Sequence, residues 1–201
     1  MKLVCFDLDG VLVDSMDWHF RAFSEAIKEV TGQPMDPAYH EDELKGIPTL
    51  RKIEKLVNAG FLPQDQAAQV ARLKTVFFNE RVRENLEPDL VKIAMIKQLK
   101  RDFLHVAVVS NCNRQNAERL LRGIGLLDEI EYLVSSSDVV AGKPSPEGYY
   151  KAMLYFRVSP LETLILEDSL VGLDAAHASG ATYLPVNRVE DVTYEFVARH
   201  M

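Results

Sequence analysis

Phe6-Asp7-Leu8-Asp9-Gly10-Val11-Leu12-Val13-Asp14-Ser15 follows directly on Lys2-Leu3-Val4-Cys5-Phe6, and the reading of these two stretches decides the fold. The apolar run has the length and composition of a strand buried on both faces. Asp7 and Asp9 stand two residues apart at its end, and the period of a strand puts both carboxylates on one face. Two like charges so close repel unless something holds them, and a divalent cation is the usual partner. Gly10 lets the backbone turn sharply or approach a ligand. The C-terminal end of the first strand of an open α/β sheet is where such folds bind ligands. Taken alone, Asp-x-Asp-Gly reads equally well as an ordinary turn.

Working outward, the chain changes character twice. Trp18, Ala22, Phe23, Ala26, Ile27 and Val30 recur at helical spacing, which predicts a helix over 17–31 ended by Gly32. A helix over 49–57 follows, with Thr49 as N-cap, then a longer one over about 64–84. Residues 16–85 therefore read as an all-helical cap inserted after the first strand, between the halves 1–15 and 86–201 of an α/β core domain. From Pro88 onward strands and helices alternate. Strands are predicted at 105–109, 131–135, 163–167 and 182–186. Helices are predicted from Pro88 to Lys100, after Asn113, after Ser145-Pro146 with Ser145 as N-cap, and up to Gly180. Ser159-Pro160-Leu161-Glu162 fits a capping box. This alternation implies a doubly wound parallel sheet with right-handed crossovers. The strand ends at 7–9, 110–111 and 167–168 then open onto one edge.

Three further stretches fall on that edge. Ser110 and Asn111 supply a hydroxyl and an amide at a strand end, groups that with the next helix N-terminus can bind phosphate or simply form a polar turn. Lys143 lies in Gly142-Lys143-Pro144-Ser145-Pro146, whose prolines fix the loop and the place of the ammonium. A lysine is a compact cation suited to neutralising a phosphoryl group and a carboxylate together. Glu167 and Asp168 follow an apolar strand, and two more acids near Asp7 are costly without a cation. As hard oxygen donors they suit Mg²⁺, although a pair of acids can also serve as a helix N-terminal cap.

Composition sets the bounds. The chain has 201 residues, 47% hydrophobic, enough for one α/β domain with a small insertion. A net charge of -7 makes nucleic acid an unsuitable partner. Cys5 and Cys112 are the only cysteines and Cys5 lies in a strand, so no disulfide framework is expected and a reducing, cytoplasmic setting is. No apolar run approaches the about 20 residues of a membrane span. A monomer or weak dimer that takes a small phosphorylated metabolite is expected.

The four stretches, FDLDGVLVDS, VVSNC, GKPSPE and LEDSLVGLDAAHASG, resemble in order the four motifs of the haloacid dehalogenase-like superfamily of phosphotransferases. The resemblance implies Asp7 as nucleophile, Asp9 as general acid and base, Ser110 as the phosphate-binding hydroxyl, Lys143 as a catalytic cation, and Asp7, Asp9, Asp168 and Glu167 as the Mg²⁺ site. Within the superfamily the chain is similar to the β-phosphoglucomutase-like branch, through His19-Phe20-Arg21-Ala22 and Leu44-Lys45-Gly46. That similarity implies substrate contacts for His19, Gly46 and Lys74. Two features depart from it: Thr49 stands where the branch's mutases carry an Arg, and Ser110-Asn111-Cys112 where they carry Ser-Ala-Ser. The expected activity is phosphatase action on a sugar or polyol phosphate. A phosphosugar mutase and a non-catalytic binding protein on the same scaffold are the alternatives.

Overall fold

In the computed structural model, which describes residues 1–44 and 47–201, β1 (Leu3–Phe6) is buried at every position. It lies in the middle of five parallel strands. β2 (His105–Val109) and β4 (Thr163–Glu167) flank it, β3 (Tyr132–Val134) lies beyond β2, and β5 (Thr182–Pro185) lies beyond β4. The order β3-β2-β1-β4-β5 reverses direction at β1, the crevice where doubly wound sheets bind ligands. Register then fixes the neighbourhood. Phe6 is level with Val108 and Leu166, so Asp7, Val109 and Glu167 come next to one another along the same edge.

The predicted strands all form, with little shift in their ends. Helices cover both faces of the sheet. On one face Leu3, Cys5, Ala107, Val109 and Ile165 pack with Tyr149, Ala152 and Met153 of α7 (Glu147–Phe156) and Ala175 and Ala176 of α8 (Leu170–Ser179). The alternate residues Val4, Phe6, Val106 and Val108 point to the other face, where α5 (Leu90–Arg101) packs against β2. Asn113 caps α6 (Arg114–Gly123), as predicted, by accepting from the Asn116 N–H at 2.9 Å. Two helix starts differ from expectation. Asp89, not Pro88, opens α5, because its carboxylate takes the Val91 and Lys92 N–H groups. Pro146 itself occupies the cap position of α7, and Ser145 Oγ only accepts from Glu147 N at 3.3 Å. After β5 the chain ends in a 3₁₀ turn, Val189–Asp191, and a short helix α9 (Tyr194–Ala198).

The chain divides into two compact units, Met1–Asp14 with Leu86–Met201, and Ser15–Asn85. Among the described residues, the regular elements of the second are all helices. It holds α1 (Met16–Thr31), a short α2 (Pro37–Tyr39) that continues as a π turn over His40–Leu44, α3 (Thr49–Asn58) and α4 (Ala67–Asn85). Its own core contains Phe23, Ala26, Ile27, Leu44, Ile53, Leu56 and Val70. Gly32 ends α1 in the left-handed conformation, φ 82°. Pro48 takes the cap position that Thr49 was expected to fill. Lys52 does not share the solvated face of Arg51 and Lys55: it is buried, with Nζ 3.0 Å from His40 Nε2.

Candidate active site

β1 ends at Phe6, and Asp7 is the first residue beyond it, tied to β4 by its N–H to the Leu166 carbonyl at 2.9 Å. The chain then leaves the sheet. Gly10 takes φ 91°, and Gly10 N donates to Val13 O while Leu12 N and Val13 N donate to Leu8 O. Asp9 therefore sits in a turn rather than on a strand face, half-buried and bridged to Val13. Glycine is required at position 10 for a second reason: a Cβ there would stand 2.2 Å from Asp168 Oδ2.

Asp7 and Lys143 are both buried, and the Lys143 ammonium donates to Asp7 Oδ1. The same ammonium donates to Glu167 Oε2 at 2.5 Å. Glu167 has no exposure at all. Its Oε2 also accepts from the Tyr149 hydroxyl at 2.9 Å, and its Oε1 accepts from Asp168 N, Ser169 N and Ser169 Oγ at 3.0–3.2 Å. Five donors hold the one carboxylate. Gly172 makes room for it, since a Cβ there would meet its Cδ at 2.0 Å.

The electrostatics follow from burial and crowding. Burial, then the negative charges of Glu167, Asp168 and Asp9, raise Asp7 well above the usual carboxylate range, although Lys143 opposes them. Burial and Glu167 push Asp168 up to about 7. Burial also works against Glu167, but Lys143 and the hydrogen bonds more than offset it, so its pKa falls. Burial likewise disfavours the Lys143 charge, and Asp7 and Glu167 overcome it and hold the ammonium well above its ordinary value. Carboxylate oxygens of Asp7, Glu167 and Asp168 lie within 4.8 Å of one another. Such crowding of hard oxygen donors fits a divalent cation of the Mg²⁺ kind beside Asp7 and Asp168, while the Glu167 oxygens are taken by its five donors.

Ser110 is buried at the end of β2, and its Oγ accepts from Cys112 N at 2.9 Å. That leaves the hydroxyl proton to donate elsewhere. Asn111, which the sequence presents as a phosphate-binding amide, has both ends of its amide on Lys143. Its Oδ1 accepts from the Lys143 N–H at 2.8 Å and its Nδ2 donates to the Lys143 carbonyl at 3.1 Å. The amide ties the end of β2 to the lysine loop. No sequence signal separates such a clamp from a ligand contact, because both need the same residue at the same place. Tyr149 and Ser169 were also invisible in the sequence, where Tyr149 reads as one more apolar position of a helix.

In the helical unit, His19 stacks on Phe78, with ring centroids 4.1 Å apart. Lys74 Nζ is 2.8 Å from His19 Nδ1 and 4.5 Å from the centre of the Phe78 ring. Phe78 is wholly buried. Gly46 lies outside the described residues. Among the described residues, no helix is long and apolar enough to cross a membrane.

A family model described as haloacid dehalogenase-like hydrolase matches residues 1–180. The chain belongs to that family. It is an enzyme of the hydrolase class, and its fold is that of the β-phosphoglucomutase-like branch. The β-phosphoglucomutase of Bacillus subtilis is 28% identical over 188 residues, covering 90% of this chain and 80% of the relative. A phosphorylated carbohydrates phosphatase of Thermotoga maritima is 27% identical over 183 residues, covering 90% and 82%. The crystal structure of a Clostridium difficile β-phosphoglucomutase superposes with a TM-score of 0.83 at 20% identity, covering 99% of this chain and 96% of that one.

Proposed function

We propose that the protein hydrolyses a small phosphomonoester, a sugar or polyol phosphate, through an aspartyl-phosphate formed on Asp7. The buried Asp7–Lys143–Glu167 chain beside Asp168 carries this reading. Lys143 engages Asp7 Oδ1, so the other carboxylate oxygen is the one that attacks phosphorus. The new Oδ–P bond forms as the ester P–O bond breaks, and Asp9 gives its proton to the leaving oxygen. Asp9 then takes a proton from water as that water attacks phosphorus, the P–Oδ bond breaks, and Asp7 is restored. Lys143 and the Ser110 hydroxyl face the charge that develops on the phosphoryl oxygens. Asp7, Asp168 and the Asp9 backbone carbonyl would hold Mg²⁺. Glu167, expected beside them as a ligand, spends both oxygens on protein donors and serves as the counter-charge of Lys143. When bound, the cation supplies positive charge against the phosphoryl oxygens. Substrate contact by His19, Lys74 and Gly46 rests on the family resemblance.

Chelation tests the cation. Excess EDTA should remove phosphate release, Mg²⁺ should restore it, and Ca²⁺ should restore it poorly because its coordination is larger and looser. Full activity in EDTA would refute the assignment.

The likeness to a β-phosphoglucomutase favours a second reading, isomerisation of a phosphosugar through the same aspartyl-phosphate. A mutase must grip the phosphate that is not transferred, which an Arg does bidentately. Thr49 stands at the position in question, so net hydrolysis is expected. The check is one mixture of β-glucose 1-phosphate, Mg²⁺ and a catalytic amount of the bisphosphate, followed for free phosphate and glucose 6-phosphate together. Free phosphate should form faster. Glucose 6-phosphate accumulating ahead of it would make the protein a mutase.

A further inference from the structure

Tyr149 lies in the first half of α7 with its ring in the core, beside Leu3, Cys5, Val109 and Ala152. It is fully buried. A phenylalanine would fill that space without burying a hydroxyl, and a buried hydroxyl costs free energy unless it is bonded. Here it is bonded, to Glu167 Oε2 at 2.9 Å, the same oxygen that accepts the Lys143 ammonium. The other oxygen of Glu167 is held separately by the turn that follows β4, through Asp168 N, Ser169 N and Ser169 Oγ. One pinned oxygen leaves the carboxylate free to swing about that point. A donor on the second oxygen fixes its plane. Lys143 is a point charge on a flexible four-carbon stem, so its place is set by what surrounds the ammonium. The Tyr149 ring adds to that surround, with its centre 5.2 Å from Lys143 Nζ.

We propose that Tyr149 is a positioning residue of the active site: its hydroxyl orients Glu167, and Glu167 holds the Lys143 ammonium against Asp7. The inference rests on the phosphatase reading above and adds to it a residue that touches no substrate. Its action passes through two buried side chains, each joined to the next by a hydrogen bond.

The test compares wild type, Tyr149→Phe, Glu167→Gln and the double variant. Tyr149→Phe keeps the ring and removes only the hydroxyl. It should lower kcat roughly 10-fold, the order seen when an outer partner of a catalytic group is lost. KM should stay within about twofold and the melting temperature should barely move, which a purely structural role would not produce. In the Glu167→Gln background the same change should add no further loss, because residues acting through one group are not additive. An unchanged kcat in Tyr149→Phe overturns the proposal, and so does a full second loss in the double variant. Crystal structures of wild type and Tyr149→Phe supply a readout independent of turnover. The Glu167 carboxylate and the Lys143 ammonium should both be displaced in the variant, and unchanged positions would refute the inference. If wild type releases no phosphate from any phosphomonoester, the functional reading fails, and the two structures still decide what Tyr149 holds.

Discussion

Asp7→Asn should lose turnover by about 10⁴-fold or more, the scale of removing a nucleophile, while the protein stays folded and melts no lower than wild type. The amide cannot form the aspartyl-phosphate. The stability half of the expectation comes from the site's crowding. Asp7 is buried among Glu167, Asp168 and Asp9, all of which disfavour its charge. An asparagine of the same shape removes that repulsion, and Lys143 retains Glu167 as its counter-ion. Initial rates of phosphate release and a thermal melt on the same preparation test both halves. The sample must be checked for deamidation, which would regenerate aspartate. Turnover within tenfold of wild type would remove Asp7 from its role.

Lys143→Met is expected to damage stability as well as activity. The ammonium is the counter-ion of two buried carboxylates, Asp7 and Glu167. Removing one partner of a buried ion pair typically costs about 3–5 kcal/mol, because the charge left behind is uncompensated. Loss of a donor aimed at the developing charge costs about 10²–10³ in kcat. Methionine fills much of the lysine stem's volume, so the stability loss reports charge rather than a cavity. Two controls sharpen the result. Adding Glu167→Gln should recover part of the lost stability by removing one stranded charge. Lowering the pH should narrow the gap to wild type, since carboxyls whose folded pKa is raised gain stability as they protonate. A Lys143→Met variant as stable as wild type in urea or guanidinium would contradict the buried ion-pair account.

The sheet could be read from the sequence because its strands are short apolar runs at regular intervals, and the parallel order follows from their alternation with helices. The end of β1 was harder to place. Asp7 and Asp9 read as one strand face, yet the strand ends at Phe6, Asp7 N–H makes a bond to β4 just beyond it, and Gly10 then turns the chain. Helix starts shifted where a competing cap was stronger, as with the Asp89 carboxylate over Pro88. Asp7, Lys143, Glu167 and Asp168 were legible because each stands in a recognisable string at a strand end or a proline-fixed loop. What joins them was not. Lys143 meets Asp7 across 136 residues of sequence. Nothing local to Tyr149 distinguishes a core aromatic from one whose hydroxyl holds a carboxylate. Lys52 likewise sits on a helix with Arg51 and Lys55, and only the fold brings its ammonium onto His40.

An aspartyl-phosphate on Asp7 can be trapped and located. Asp9→Asn lacks the base that clears the intermediate, but it can still be loaded from p-nitrophenyl phosphate, whose leaving group needs no proton. Acid quench, borohydride reduction and peptide mass spectrometry then locate the acyl phosphate, because borohydride converts a phosphorylated aspartate to homoserine. That change is expected at residue 7 alone, dependent on Mg²⁺ and absent when Asp7→Asn is added. Modification at another residue would contradict it, as would burst release of p-nitrophenol with residue 7 left unmodified.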